Sequence, residues 1–253
     1  LKAISLQSGS NGNCIFVETG DVRLLFDAGI PGAVAERRLA AFGLDIRSVD
    51  AVIISHDHAD HVCNAGVYQR KYGIPLFITP GTLAVSERTH RLGKLSEVNL
   101  FFRGGTIRIG NVRIQTVPTP HDGEDGSAFI VLSGEKRLGI MTDLGHIFGG
   151  LQDAVSLLDA VFLESNYDPG MLARGPYPEF LKRRIKGPGG HLSNIEAAEL
   201  LLAGKRLKWA CLSHLSARNN DAVVAMKTHR EIVPAALTLY TAGRHAATPL
   251  LKV

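Results

Sequence analysis

The chain has 253 residues, 45% of them hydrophobic and 21% charged, with a formal net charge of +4. These values suit a soluble globular protein with a sizeable core. No apolar run reaches the roughly 18 residues of a transmembrane helix, "LKAISLQSGS" lacks the apolar core of a signal peptide, and Cys14, Cys63 and Cys211 are too few and too scattered for a disulfide framework, so the expected location is the cytoplasm.

In chain order, apolar alternation predicts short strands at Lys2–Leu6, Cys14–Glu18 and Val22–Asp27, then a helix from about Gly32 to Phe42. A buried strand at Ala51–Ser55 leads into the loop "SHDHADH", followed by a helix near Val62–Tyr72 and a strand at Leu76–Ile78. Gly105–Val117, Ala128–Leu132 and Arg137–Thr142 form a meander, with "GE" as a turn signal. Helices and strands then alternate: a strand at Val161–Glu164, a helix near Glu196–Leu202, a strand at Trp209–Ser213, a helix near Ala222–Glu231 and a strand at Ala236–Tyr240. No linker separates domains. One domain over residues 1–253 is expected, with two sheets packed face to face and helices outside.

Charge is unevenly distributed. Residues 1–170 carry 15 Lys and Arg against 19 Asp and Glu, whereas residues 171–253 carry 13 against 5. The basic part is either a solvated face or a surface for a polyanion.

The loop from Ser55 to His61 holds three histidines and two aspartates. His56, His58 and His61 cannot share one face of a strand or helix, but a tight loop lets them converge. Neutral imidazole is the commonest transition-metal ligand, and Asp favours a divalent cation. Further apolar strands end in ligand-type residues: "VRLLFDAG" in Asp27, "VRIQTVPTPH" in His121, "RLGIMTDLG" in Asp143 and "KWACLSH" in His214. Strand ends gather along one rim of a sheet, so these segments can meet. Of the remaining histidines, His90, His229 and His245 are expected to be exposed. Cys63 and Cys211 are expected to be buried packing residues.

Two glycine-rich stretches suit an anion, the alternative for "GPGG" being a sharp turn with His191 as a surface residue. In "GPGGHLSNIE", Ser193 and Glu196 form a capping box, which puts His191 just before a helix N-terminus. Lys182, Arg183, Arg184 and Lys186 lie upstream and suit a phosphodiester. In "SGSNGN", Ser8–Asn13 forms either a backbone nest for phosphate or a plain turn.

The pattern His56-Asp57-His58-Ala59-Asp60-His61, with Asp27, His121, Asp143 and His214 in order behind it, resembles the metallo-β-lactamase fold superfamily. The resemblance implies an αββα sandwich of two mixed β-sheets flanked by helices. It implies two divalent ions, Zn or Mn. His56, His58 and His121 would hold the first, Asp60, His61 and His214 the second, and Asp143 would bridge them. Asp27 would orient ligands without binding metal. The stretch "ESNYDPGMLARGPYPEFLKRRIKGPGGHLSN" and the opening "SLQSGSNGNC" look like the YycJ/WalJ group of metal-dependent exonucleases. Tyr167 departs from that group at a position where His is expected.

That closer resemblance implies a 5′-exonuclease acting on DNA by attack of a metal-bridging hydroxide, with Asp60, Asp143 and His191 as catalytic residues. Ser10, Asn13, Asn166, His191 and Ser193 would meet substrate, and Lys182, Arg183 and Arg184 would meet nucleic acid. DNA is the expected partner, with no membrane and no obligate protein partner. A small-molecule hydrolase of the same fold (a cyclic phosphodiesterase, lactonase or thioester hydrolase) would use the same ligands, and a sensor that had lost catalysis would lack some of them.

Overall fold

A computed structural model describes all residues, 1–253. The first half contains β1 (Lys2–Gln7), β2 (Cys14–Thr19), β3 (Val22–Phe26), α1 (Gly32–Ala40), β4 (Ala51–Ile53), α2 (Ala59–Val62), α3 (Ala65–Tyr72), β5 (Leu76–Ile78), α4 (Pro80–Thr89), β6 (Val98–Leu100), β7 (Thr106–Ile109) and β8 (Val112–Pro118). Then come β9 (Ser127–Ser133), β10 (Lys136–Met141), α5 (Leu151–Ser156), β11 (Ala160–Glu164), α6 (Pro169–Arg174) and α7 (Glu179–Lys186). The chain closes with α8 (Asn194–Leu201), β12 (Trp209–Ser213), α9 (Ala222–Ile232), β13 (Thr238–Thr241) and β14 (Leu251–Lys252).

The strands form two mixed seven-stranded sheets flanked by helices, as expected. The chain also groups into two compact units. The first comprises Leu1–Pro118, Gly123–Ser127 and Gly243–Lys252; the second comprises Thr119–Asp122, Ala128–Ala242 and Val253.

In the first unit one sheet runs in the order β14-β1-β2-β3-β4-β5-β6. β1 to β3 are antiparallel, and β3 to β6 are parallel. Phe16, Leu25, Val52, Ile54 and Tyr68 fill its core. β7 and β8 pair as a hairpin closed by Gly110 and Asn111, with Ile109 opposite Val112. Gly110 has φ 54°, as such a two-residue turn requires. In the second unit, β10 to β13 run parallel and β9 pairs antiparallel with β10. Phe162 and Trp209 stack edge to face there at 5.4 Å.

Parallel register positions the chemistry. Phe26 pairs with Ile53, so Asp27 and the Ser55–His61 loop emerge side by side from β3 and β4. Met141 pairs with Leu163, and Glu164 pairs with Ser213. Asp143, Glu164 and His214 therefore leave three adjacent strands at their C-terminal ends, where open parallel sheets collect their functional groups.

Several expectations are corrected. β3 and β4 stop at Phe26 and Ile53, before the expected Asp27 and Ser55. The expected single helix near Val62–Tyr72 is two, broken where the Asn64 N–H donates to the Ala28 carbonyl at 3.0 Å. α4 and α6 have no counterpart among the expected elements. Each has a side-chain cap, Thr79 or Asp168, and a proline at the start of the helix. His229 is fully buried, not exposed, with Nδ1 against the Ala225 carbonyl at 2.8 Å. Burial pushes its imidazole down to about 4, opposed by that backbone contact. His90 is partly buried, with Nε2 2.6 Å from the Asp57 carbonyl. Cys63 is exposed, because it sits on the outer side of the break between α2 and α3. Cys211 is buried, as expected, and Ser193 caps α8 in a capping box with Glu196.

Candidate active site

In the first unit, three loops are stitched together by backbone bonds. The Ala28 N–H donates to the His61 carbonyl (2.7 Å), the Asn13 N–H to the Asp60 carbonyl (2.8 Å), and the Gly29 N–H to the Asn13 carbonyl (3.0 Å). The approach is so close that a Cβ on Gly29 would lie 1.7 Å from the Asp60 carbonyl oxygen. The result is convergence of the imidazoles: the His56 ring is 4.6 Å from His58 and 4.2 Å from His61, centroid to centroid.

Asp27 makes this cluster directional. One carboxylate oxygen accepts from the Ser55 N–H at 2.8 Å, and the other lies 2.7 Å from Nδ1 of His61. A carboxylate only accepts, so Nδ1 carries the proton and Nε2 carries the lone pair. Nε2 is 3.7 Å from an Asp60 carboxylate oxygen and 3.0 Å from the Asn13 amide nitrogen. An imidazole fixed through one nitrogen by a carboxylate, with the other turned toward an acid, is the arrangement of a metal ligand.

The second unit gathers His121, Asp143, Glu164, His191 and His214. Nδ1 of His121 donates to the Gly190 carbonyl at 2.7 Å, which leaves the lone pair on Nε2, 3.7 Å from Asp143. Nδ1 of His214 is 3.2 Å from the same Asp143 oxygen. Asp143, Glu164, His191 and His214 each offer a ligand atom, all within 4.8 Å of one another. These oxygen and imidazole donors fit a borderline divalent ion such as Zn or Mn.

Glu164 was missed in the sequence, although "AVFLE" obeys the same rule as the other strands that end in ligand-type residues. It is fully buried. It accepts from Nδ1 of His191 at 2.6 Å and from the Leu144 N–H at 3.0 Å. Burial alone would raise its pKa, but the charge of His191 and bonds from His191 and His214 outweigh that and hold the carboxyl below its usual range. The His191 side chain is 16% exposed, against 3% for Asp143 and 4% for His214, so of these three it is the most open to an incoming molecule.

The expected substrate contacts fare unevenly. Ser10 is exposed on its loop. Asn13 is turned inward: its amide nitrogen faces Asp60 and His61, and its oxygen accepts from the Gly9 N–H at 2.8 Å. Inward bonds from Gly9, Gly12 and Asn13 N–H groups make the loop a compact turn more than an open nest. Asn166 is buried and donates to the His214 carbonyl at 2.9 Å, so it holds the His214 loop. The Ser193 hydroxyl is engaged in the α8 cap.

On α7, Lys182 donates to the Ala173 carbonyl at 2.7 Å, and Arg184 forms a two-bond pair with Asp122 at 2.6 and 3.1 Å. Arg183 is exposed. Tyr167 packs with Leu172 and Ile185 and forms a bridge to Ser193. Burial, with the nearby Glu196 and Glu164 charges, pushes its phenol up to about 12.

Comparison with known proteins follows this geometry. Residues 8–170 match the metallo-beta-lactamase superfamily. A Streptococcus pneumoniae protein named exodeoxyribonuclease WalJ is 32% identical over 98% of this chain and 96% of its own. A Bacillus anthracis protein named exodeoxyribonuclease YycJ is 31% identical over 90% of this chain and 87% of its own. Among solved structures, the metallo-beta-lactamase fold protein YhfI from Bacillus subtilis superposes with a TM-score of 0.74 at 17% identity, covering 98% of each chain. Zn(2+)-bound PqqB from Methylobacterium extorquens gives 0.75 at 16%, covering 100% of each chain. These two likenesses concern the fold.

Proposed function

The chain belongs to the metallo-β-lactamase superfamily and is a hydrolase; from that premise we propose that it is a metal-dependent nuclease that removes nucleotides from the 5′ end of DNA. The names of the pneumococcal and B. anthracis relatives support the substrate, at 32% and 31% identity over most of the chain. The structural observation that carries the reading is the contact between His191 and Glu164 beside Asp143.

By the superfamily's arrangement, His56, His58 and His121 would be the residues to hold one divalent ion and Asp60, His61 and His214 those to hold a second, with the Asp143 carboxylate available to either. Bound there, such ions supply Lewis-acid polarisation of a phosphoryl oxygen and an acidified water. The protein's own groups do the rest. Asp27 and Asn166 keep His61 and His214 in their orientations. Asp60 fixes the direction from which water approaches. His191, with Nδ1–H held by Glu164, transfers a proton from Nε2 to the oxygen that leaves phosphorus as the P–O bond breaks. Glu164 steadies the imidazolium and sets its tautomer, as a buried carboxylate does behind a general acid.

The basic α7 gives the phosphate backbone a track, with the exposed Arg183 and Lys186 as its available cations. The proposal places the enzyme in the cytoplasm; no helix is long and apolar enough to cross a membrane.

The test uses metal-loaded protein with 5′-labelled and 3′-labelled strands of DNA and RNA. Expected is early release of the 5′ label as a mononucleotide, with DNA preferred. If no nucleotide is released from any strand while a generic lactone or phosphodiester turns over, the enzyme is a small-molecule hydrolase instead.

A further inference from the structure

We propose that the β7–β8 hairpin and the Phe102 turn form a landing surface for an unpaired polynucleotide strand, with Arg108 and Arg113 on phosphates and Phe102 against a base. This rests on the nucleic-acid reading of the active site and adds to it a second contact region away from the ligands.

Charge is the first observation. No Asp or Glu occurs between Glu97 and Asp122, a stretch that includes Arg103, Arg108 and Arg113. This is a basic island within residues 1–170, which are acidic overall.

Register is the second. Arg108 lies directly opposite Arg113 across the antiparallel ladder, and Thr106 lies opposite Gln115. Alternation buries Ile107, Val112 and Ile114 on one face and exposes these four residues on the other. Like charges directly opposite destabilise a strand pair. A phosphate bound between the two guanidiniums removes that repulsion, and guanidinium matches phosphate geometry.

The third observation is exposed apolar surface beside those cations. Phe102 is 73% exposed and Leu100 55% exposed. Both line a cavity of about 310 Å³ that Thr106 and Arg108 also line. An aromatic face among cations is what an unstacked base needs, and a paired base cannot present its face. That favours a single strand over a duplex.

The surface is tied to the motif loop. Nε of Arg103 lies 3.6 Å from Asp125, whose other oxygen accepts from the Gly81 N–H at 3.1 Å. The Glu124 N–H donates to Asp57 at 2.6 Å. Gly123 packs so closely on His56 that a Cβ would sit 2.6 Å from its Cδ2. At about 3.5 Å per residue plus one arginine side chain, the path from His56 to Phe102 is on the order of 20 Å. Several nucleotides, at roughly 3.4 Å or more each, are needed to span it.

The experiment compares wild type, Phe102→Ala and the double variant Arg108→Ala/Arg113→Ala. Each is titrated, metal-loaded, with a fluorescent 20-nucleotide phosphorothioate strand that resists cleavage, and assayed for hydrolysis of bis(p-nitrophenyl) phosphate. Phe102→Ala should bind the strand about 10-fold more weakly, within the range for loss of one stacked base. The double variant should lower the salt slope of log affinity by roughly 0.7, for the one single-strand phosphate held between the two guanidiniums. Bis(p-nitrophenyl) phosphate, too short to reach the surface, should turn over as in wild type. Strand affinity equal to wild type in both variants overturns the proposal. So does a wild-type dimer that Phe102→Ala turns into a monomer, because the surface would then belong to a second copy of the chain. Failure of the nuclease reading looks different: wild type would not cut the ordinary phosphodiester version of the strand, whatever its affinity.

Discussion

Glu164→Gln tests the chemistry with little change in shape. Glu164 is fully buried, and donors close on it from His191 Nδ1 at 2.6 Å and from the N–H groups of Leu144 at 3.0 Å and Leu192 at 3.3 Å. Glutamine keeps one oxygen, which can satisfy the two backbone groups. Its NH2 then faces Nδ1 of His191, and two donors cannot bond each other. The ring must move its proton to Nε2 or lose the contact, and the imidazolium loses its anionic neighbour. A hydrogen bond to a charged group is worth about 1.5–3 kcal/mol. At about 1.4 kcal/mol per decade, kcat on DNA should fall roughly 10- to 150-fold, near the lower part of the range for general acid–base catalysis. The p-nitrophenolate leaving group needs no proton, so bis(p-nitrophenyl) phosphate turnover should change by less than about 3-fold on the same argument. Both rates are measured at saturating metal, with metal content checked by elemental analysis. Equal losses on the two substrates would falsify the general-acid role, and loss of bound metal would make Glu164 a ligand.

Two further outcomes are expected. His229 has a folded pKa of about 4, below its ordinary value, so the unfolded chain binds the extra proton and stability is lost as pH falls from roughly 6.5 toward 4. About 2 kcal/mol of that loss should be present by pH 5, and His229→Gln should remove that part of the pH dependence in denaturant titrations of the metal-free protein; an unchanged pH slope would place the titration elsewhere. On α7, Arg183→Ala should lower the salt slope of duplex DNA binding by about 0.9, whereas Arg184→Ala should lower it less, because Arg184 already faces Asp122; equal effects of the two would mean that the Asp122 pair opens on binding.

The parts of the site that were legible share one local signal, an apolar strand that stops at an acid or histidine. It located Asp27, Asp143 and His214 next to three strand ends, and the crowding of His56, His58 and His61 required a loop. Glu164 obeyed the same signal and was overlooked, since a strand that closes on Glu also looks like any strand reaching solvent. The partners of side chains were beyond the sequence. Nothing local tells that Asn13 turns onto His61, that Asn166 supports His214, or that Arg184 pairs with Asp122 62 positions away. In the fold, alternation found the buried strands, while α4 and α6 are short, lack a strong apolar stripe and start at Pro80 and Pro169. His229 shows the limit of polarity as a guide, because an i−4 carbonyl on its own helix satisfies one nitrogen and lets the ring be buried.

The strand ends have a further property in common, and it is the backbone's. Asp27, Asp143 and His214 have φ values of 66°, 55° and 55°, in the left-handed region. A residue with a Cβ is disfavoured there by roughly 1–2 kcal/mol, less for Asp, which bonds its own backbone locally. A left-handed residue just past a strand, directly after it for Asp27 and His214 and one residue on for Asp143, turns the chain sharply, so its side chain swings to the sheet's end and the following loop is brought close. Strain of this kind collects where function over-determines the conformation. It predicts a reversal of the ordinary residue preference at Asp143. In normal extended backbone, Ala is more stable than Gly by about 0.5–1 kcal/mol, because Gly loses more freedom on folding. At φ 55° the order should invert, with Asp143→Gly more stable than Asp143→Ala by about 1 kcal/mol in the metal-free protein. Both variants lack the carboxylate and should be equally poor in holding metal. Stability is read from denaturant midpoints in chelator. An alanine variant as stable as the glycine variant would mean that the chain relaxes out of the left-handed region once the carboxylate is gone, and that Asp143's own contacts hold the turn.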